Sequence, residues 1–376
     1  MPTNHLNIAF IRRGFSPSGG AEAYLKRLAR GVVDAGHKAQ LFTTNDWPRG
    51  EWPFGDISGF GAASPLQFAD AVERVRAGAS VDVLMSLERV WSCDVYRAGD
   101  GVHAAWMERR TGHDTAWHRL TTAFNRKHAA ILRLEEALFR KGGAARVIAN
   151  SAMVKHEITK FYGYPPELIE VVPSGVPVDQ FRCNVEAREM ERRALGLQRE
   201  DIAVLFVGSG WKRKGLVHAL RGIEKLDNPH LKLLVAGRGT PSRYRSRYAQ
   251  FVGEVPNVAA LYCASDIFVL PTLYDPFSNA CLEALASGLP IITTRSNGFA
   301  ETVEDGVHGS IIDAPNGGSV ANAITLWMDA ARRSEAFPLN VQRAARFDIS
   351  INVARTLEIL LQAASAASTS SKIRKT

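Results

Sequence analysis

Four short apolar runs restrict the architecture of this chain most: Ala203–Val207, Lys232–Ala236, Ile267–Leu270 and Ile291–Thr293. Apart from the opening Lys232, they lack the alternation of polar and apolar residues that a half-exposed strand needs. Each therefore reads as a strand buried on both faces, and such strands belong to parallel sheets covered by helices. The first half repeats the theme. Asn7–Ile11, Lys38–Thr43, Val81–Ser86 and Ala145–Asn150 read as strands, and Ala21–Ala35 as an amphipathic helix ended by Gly36. A long helical stretch is expected between Ala104 and Lys141.

Between the two series lies Val171-Val-Pro-Ser-Gly-Val-Pro-Val178, whose prolines and glycine predict a hinge. The expectation is α/β: two doubly wound, Rossmann-like domains facing a cleft, over 1–172 and 173–339. A final helix over Asn340–Ala364 and a small, basic, disordered tail over 365–376 complete it. A chain of 376 residues with 46% hydrophobic and 22% charged residues has core material for two domains. No solenoid-length repeat and no run of 18 apolar residues is present, which excludes a membrane-spanning helix. The apolar Leu6–Ile11 followed by Arg12-Arg13 is the wrong order for a signal peptide and suits a first buried strand. The four cysteines, Cys93, Cys183, Cys263 and Cys281, have neither metal nor disulfide spacing, so a reducing cytoplasm is expected. A net charge of +8 points to an anionic partner without naming it.

Candidate chemistry gathers where strands end. Asp275-Pro-Phe-Ser-Asn-Ala-Cys-Leu-Glu283 places one carboxylate in a loop and a second in a helix beginning near Ser278 or Asn279. Amides at that helix N-terminus, beginning around Phe277, attract phosphate, while carboxylates accept hydrogen bonds from sugar hydroxyls. A nucleotide sugar has both parts. By spacing alone the two acids are equally a loop acid and a solvated helix acid. Gly208-Ser-Gly-Trp-Lys212-Arg213-Lys214-Gly215 follows a strand, so its bases would sit at the carboxyl end of the sheet, where ligands bind. Fixed cations there would stabilise the charge that develops on a leaving diphosphate. No Asp-x-Asp metal motif occurs, so no metal is expected and Arg213 and Lys214 are candidates to replace one; the alternative is a solvated basic loop. Ser16-Pro-Ser-Gly19-Gly20 lies between first strand and first helix, either as a phosphate loop or as a plain turn. It is neither a Walker A nor a dinucleotide fingerprint, which argues against an NTPase or a Rossmann dehydrogenase. Asp100, flanked by Gly99 and Gly101, competes with His103 as the key acceptor-side group.

Taken in order from Asn7 to about Ser310, these motifs resemble those of the family 4 retaining glycosyltransferases of GT-B fold, within them the lipopolysaccharide core glucosyltransferase I group. Asp275 stands where the family has the first Glu of its Glu-x7-Glu segment, one methylene shorter. The resemblance implies that Gly19 and Gly20 meet donor phosphate and acceptor. It implies further that Gly237 belongs to a donor-side glycine loop, that Glu254 and Val255 lie in the segment facing the base (uridine), and that Glu283 holds ribose hydroxyls. Lys214 matches its family counterpart directly, and Arg213 with a shift. Asp100 would lie near the transferred sugar, and the reaction would run on the front face of the sugar without a covalent enzyme intermediate. The implied activity is hexosyl transfer, of glucose from a UDP-sugar in the family's pattern, to a lipopolysaccharide-core or other envelope glycan, without cofactor or metal. Mannose or N-acetylhexosamine, or a non-catalytic glycan-binding relative, are the alternatives. No nucleic-acid partner is implied.

The stretch from Ala104 to Arg146 holds nine Lys/Arg against four Asp/Glu, with Arg109, Arg110, Trp106, Trp117 and Phe124. It can rest on an anionic membrane, bind a phosphorylated sugar acceptor, or form a solvated helical face. The resemblance favours peripheral attachment to the cytoplasmic membrane face.

Overall fold

The computed structural model describes residues 5–16, 20–62, 64–111 and 125–373, with backbone only at 111 and 367–373. Gly19, Trp117 and Phe124 lie outside the described residues. The chain forms two units, Met1–Pro173 with Asn352–Thr376, and Ser174–Ile351.

The first unit holds a seven-stranded parallel sheet: β1 (Asn7–Ile11), β2 (Lys38–Thr44), β3 (Ile57–Phe60), β4 (Val83–Ser86), β5 (Cys93–Ala98), β6 (Ala144–Ala149) and β7 (Ile169–Val171). Their order is β3-β2-β1-β4-β5-β6-β7. Three of these strands escape the apolar criterion. β5 carries Asp94 and Arg97, whose partners are distant in sequence: Asp94 accepts from the Leu84 amide at 2.8 Å, and the Arg97 guanidinium lies 3.9 Å from the centre of the Tyr24 ring. β3 contains Ser58 and Gly59, and β7 is only three residues long.

The second unit holds six parallel strands: β8 (Ile202–Val207), β9 (Leu231–Ala236), β10 (Ala249–Gly253), β11 (Ile267–Leu270), β12 (Ile291–Thr294) and β13 (Gly309–Ile312), in the order β10-β9-β8-β11-β12-β13. Val204, Leu205, Phe206, Phe268 and Leu270 are fully buried, as unbroken apolar strands require. Helices Leu216–Leu226 and Gly317–Trp327 pack so closely that a Cβ on Gly222 would come within 2.6 Å of Val320.

Several expectations need correction. The segment 340–364 is not one helix: Ala330–Ala345 ends at Arg346, and a new helix runs from Ile349 to Ile373. The break falls at Phe347-Asp348, where the Phe347 carbonyl accepts from the Val176 amide at 3.2 Å and the Val176 carbonyl accepts from Ile349 at 3.0 Å. The tail expected to be disordered from 365 continues this helix to Ile373, because Ala, Ser and Thr alternate there without Gly or Pro to stop it. Cys183 and Cys263, 80 residues apart, are joined as a disulfide with a Cα separation of 5.4 Å, which linear spacing could not reveal. Cys93 and Cys281 are free and buried. Among the described residues no helix is long and apolar enough to cross a membrane.

Candidate active site

In a doubly wound sheet the strand order reverses at one point, where neighbouring strands send their connections to opposite faces and leave a crevice beyond their carboxyl ends. In the second unit that point lies between β8 and β11. After β8 the chain runs through Gly208 and Gly210 into a one-turn helix, Trp211–Lys214. Gly215 follows with φ +78°, and a Cβ there would lie 1.9 Å from the Pro271 carbonyl oxygen, so only glycine fits. That close approach sets the end of β8 against the end of β11. Lys214 Nζ forms an ion pair with Asp275 Oδ2, their side chains 13% and 6% exposed. The two residues singled out from separate motifs meet across the switch point.

The loop carrying Asp275 is built from buried polar groups. The Arg213 carbonyl accepts from the Leu273 amide at 2.8 Å and from Thr272 Oγ1 at 3.0 Å, and Arg213 Nη1 donates to the Tyr274 carbonyl at 2.8 Å. Arg213 thus braces the loop as well as adding charge. Asn297, fully buried, accepts at Oδ1 from the Ser278 and Phe299 amides at 3.2 and 3.1 Å, and its Nδ2 donates to Thr293 Oγ1 at 3.0 Å. The Asp275 amide donates to the Ser296 carbonyl at 2.9 Å. Sequence reasoning passed over Asn297; an asparagine soon after a buried strand in a polar loop was the available signal.

Helix Asn279–Ala286 starts as expected, with Ser278 Oγ capping the Cys281 amide at 3.4 Å. Ser278 and Phe277 are buried, Phe277 against Phe299 with ring centres 5.8 Å apart, so these two side chains serve the fold and only their backbone remains for a ligand. Glu283, half-buried, accepts at Oε2 from the Tyr262 hydroxyl at 2.9 Å. Burial, then Glu283 itself, pushes the Tyr262 phenol far up, which keeps it a donor. Gly237, at the end of β9, has φ +112°, and a Cβ would come within 2.4 Å of the Gly208 carbonyl oxygen. The two glycine loops therefore touch through their backbones. Glu254 pairs with Arg238 at 2.9 Å on the surface, and Val255 packs on the core.

The first unit has its own switch point between β1 and β4. Arg12, just past β1, lies 3.0 Å from Glu22 and pairs with Glu88, just past β4. Burial pushes the Glu88 carboxyl up despite Arg12. Gly20 opens the first helix, Gly20–Asp34. Asp100, exposed, lies in a tight turn at the end of β5, 3.9 Å from Arg89. His103 begins helix His103–Thr111, and its Nε2 lies 2.9 Å from His128 Nδ1. Burial, outweighing the pull of Glu135, holds the His103 imidazole down at about 4, so it is neutral near pH 7. Arg109 is bound to Glu157 at 2.6 Å, while Arg110 lowers the pKa of both histidines.

A profile described as "Glycosyltransferase Family 4" matches residues 18–180, and one described as "Glycosyl transferases group 1" matches residues 201–329. The lipopolysaccharide glucosyltransferase WaaG of Escherichia coli (strain K12) is 25% identical over 329 residues, covering 82% of this chain and 85% of that protein. A crystal structure of WaaG, described as a glycosyltransferase involved in lipopolysaccharide biosynthesis, superposes with a TM-score of 0.80 at 20% identity over 94% of this chain and 99% of that one. Anabaena HepE in complex with UDP and glucose superposes with a TM-score of 0.71 at 20% identity, over 94% and 100% of the two chains.

Proposed function

Because this chain belongs to the family 4 (group 1) glycosyltransferases of GT-B fold, EC 2.4 enzymes that transfer a sugar from a nucleotide sugar, we propose that it moves glucose from UDP-glucose onto a lipopolysaccharide-core or other cell-envelope glycan. The observation that carries this reading is the Lys214–Asp275 pair at the β8/β11 switch point, beside the N-terminus of helix Asn279–Ala286. Cation, amides and carboxylate lie together there, as a donor with an anionic diphosphate and a polyhydroxylated sugar requires. The choice of UDP and glucose rests on what the relatives' names state of those proteins.

In the proposed mechanism Lys214 and Arg213 stabilise the charge on the leaving diphosphate, strongest in the transition state. An ammonium has three donors, so Lys214 can keep its bond to Asp275 while reaching phosphate oxygens. Asp275 takes donor-sugar hydroxyls. Glu283, its carboxylate oriented by Tyr262, takes the ribose. Gly208 and Gly237, whose backbones touch, let amides approach the diphosphate with no side chain in between. Asp100 and His103 serve the acceptor side, with neutral His103 able to hydrogen-bond an acceptor hydroxyl. Transfer retains configuration by front-face attack, with no enzyme carboxylate bonded to the sugar. The protein works at the cytoplasmic membrane face, held there by its basic helices.

The test is release of nucleoside diphosphate from a panel of UDP-, GDP- and ADP-sugars, with and without EDTA. UDP-glucose should turn over fastest and chelation should leave the rate nearly unchanged. Preference for another nucleotide, or loss on chelation restored by magnesium or manganese, overturns the donor and the metal-independent chemistry respectively.

A further inference from the structure

Glu135 is fully buried, yet it carries a carboxylate with four donors directed at it. Its Oε1 accepts from Arg89 Nε at 2.8 Å and from the His103 amide at 2.7 Å. Its Oε2 accepts from the Tyr162 hydroxyl at 2.7 Å and the Ala104 amide at 3.3 Å. The two amides are the first of helix His103–Thr111, so Glu135 caps that helix from another part of the chain. Arg89, held by Glu135, donates through Nη2 to the Gly101 carbonyl at 2.9 Å and lies 3.9 Å from Asp100. Gly101 itself has φ +68°, so the turn between Asp100 and His103 is one few other residues adopt.

Asn150 Nδ2 also donates to the Gly99 carbonyl at 3.2 Å, but the contacts that fix Gly101, the His103 backbone and the His103 ring involve Glu135, directly or through Arg89, and its helix Arg126–Glu135. His128, seven residues or about two turns before Glu135, meets the His103 ring, while Glu135 meets the His103 backbone. Directly after Glu135 the chain leaves α-helical geometry for a π-helical segment, Glu136–Arg140, a departure that is rare and concentrates at functional sites. Burial alone would lower the Arg89 guanidinium pKa, but Tyr96, Glu135 and Asp100 outweigh it and hold the group charged. A buried ion pair contributes little net stability compared with well-packed apolar side chains, so a reason other than stability is needed for it.

We propose that Glu135 is the positioning residue of the acceptor-side loop, holding Asp100 through Arg89 and His103 through its backbone in a fixed geometry. This rests on the role given above to Asp100 and His103. Glu135 touches no substrate; it acts through its neighbours.

The test compares Glu135→Gln, Asp100→Asn/His103→Ala and the triple variant in the full chain. Glu135→Gln should lower turnover about tenfold or more, while adding less than about twofold in the Asp100→Asn/His103→Ala background, since it acts through those two residues and coupled residues are not additive. Affinity for UDP should stay that of the parent, because Glu135 lies in the first unit. Hydrogen exchange at the His103 and Ala104 amides should quicken at least about tenfold in Glu135→Gln. Additive losses in turnover, or unchanged exchange at both amides, overturn the proposal. If Glu135→Gln does not fold, Arg89→Lys breaks the link to Gly101 while leaving the helix cap, and must show the same non-additivity with Asp100→Asn. If Asp100→Asn and His103→Ala both retain full turnover, the acceptor-side assignment fails by itself, and the amide exchange then decides whether Glu135 positions the loop.

Discussion

Changing Lys214 to Met separates the cation's work in the fold from its work in transfer. The side chain keeps its length and packing but loses its charge, leaving Asp275, 4% exposed, without its ion-pair partner. Breaking one side of a buried pair costs about 3–5 kcal/mol. Because the Lys214 side chain is still 13% exposed and water can reach the pair, the lower end, about 3 kcal/mol, is expected. That is a large part of the ~5–15 kcal/mol that holds a domain together. The double variant Lys214→Met/Asp275→Asn removes the uncompensated charge and should recover most of the lost stability. Turnover behaves differently. Losing one preorganised group costs about 3–4 kcal/mol of transition-state stabilisation, or roughly 10²–10³ in rate, and the double variant should recover none of it. Urea unfolding followed by tryptophan fluorescence, in a background with the five tryptophans of the first unit replaced by Phe, reports this unit through Trp211, buried three residues from Lys214, and the fully buried Trp327. Release of UDP from the donor reports the rate. A single variant as stable as the parent refutes the argument from burial; a double variant with restored turnover refutes the catalytic role of the cation.

His103 and the basic helices supply the remaining predictions. The His103 pKa is depressed by burial to about 4 from an ordinary 6.5, so the unfolded chain binds more protons between those values; stability should be complete above about pH 6.5 and fall as pH drops towards 4, and His103→Gln should flatten that slope in pH-dependent unfolding, with a slope unchanged by the substitution counting against it. His128, depressed by burial and by Arg110 and Lys127, adds in the same direction and should be replaced in parallel. Arg126, Lys127, Arg140 and Lys141 are exposed, Arg140 while also pairing with Glu136 at 3.2 Å, and Arg109 is bound to Glu157, so reversing the charge of those four should release the protein from anionic vesicles in sedimentation while donor hydrolysis persists; failure of the parent to bind such vesicles at low salt removes the membrane role.

Local patterning was enough to define β8, β9, β11 and β12, because a strand covered on both faces needs apolar residues at every position, but it missed β10 and β13, which carry Gln250, Gly253, Gly309 and Ser310. It also located the helix at Asn279 and its capping Ser278, since capping depends on residues three positions apart. It failed for β5, where Asp94 accepts from the Leu84 amide and Arg97 lies over the Tyr24 ring, partners that no local window contains. The helix break at Phe347-Asp348 was hidden for a similar reason: Asp348 Oδ2 accepts from the Val178 amide at 3.3 Å, 170 residues earlier. The division holds at the sites. Gly215, Lys214, Asp275 and Glu283 were readable as residue types suited to a phosphorylated sugar, because chemistry restricts which side chains can serve. The meeting of Lys214 with Asp275 at the β8/β11 switch point was decided by strand order, a property of the whole sheet. Glu135 marks the limit most clearly. In the sequence it is one acid in a basic helical stretch, indistinguishable from a solvated charge. Only packing brings Arg89, Tyr162 and two helix amides to it, and a buried carboxylate takes its meaning from the donors around it.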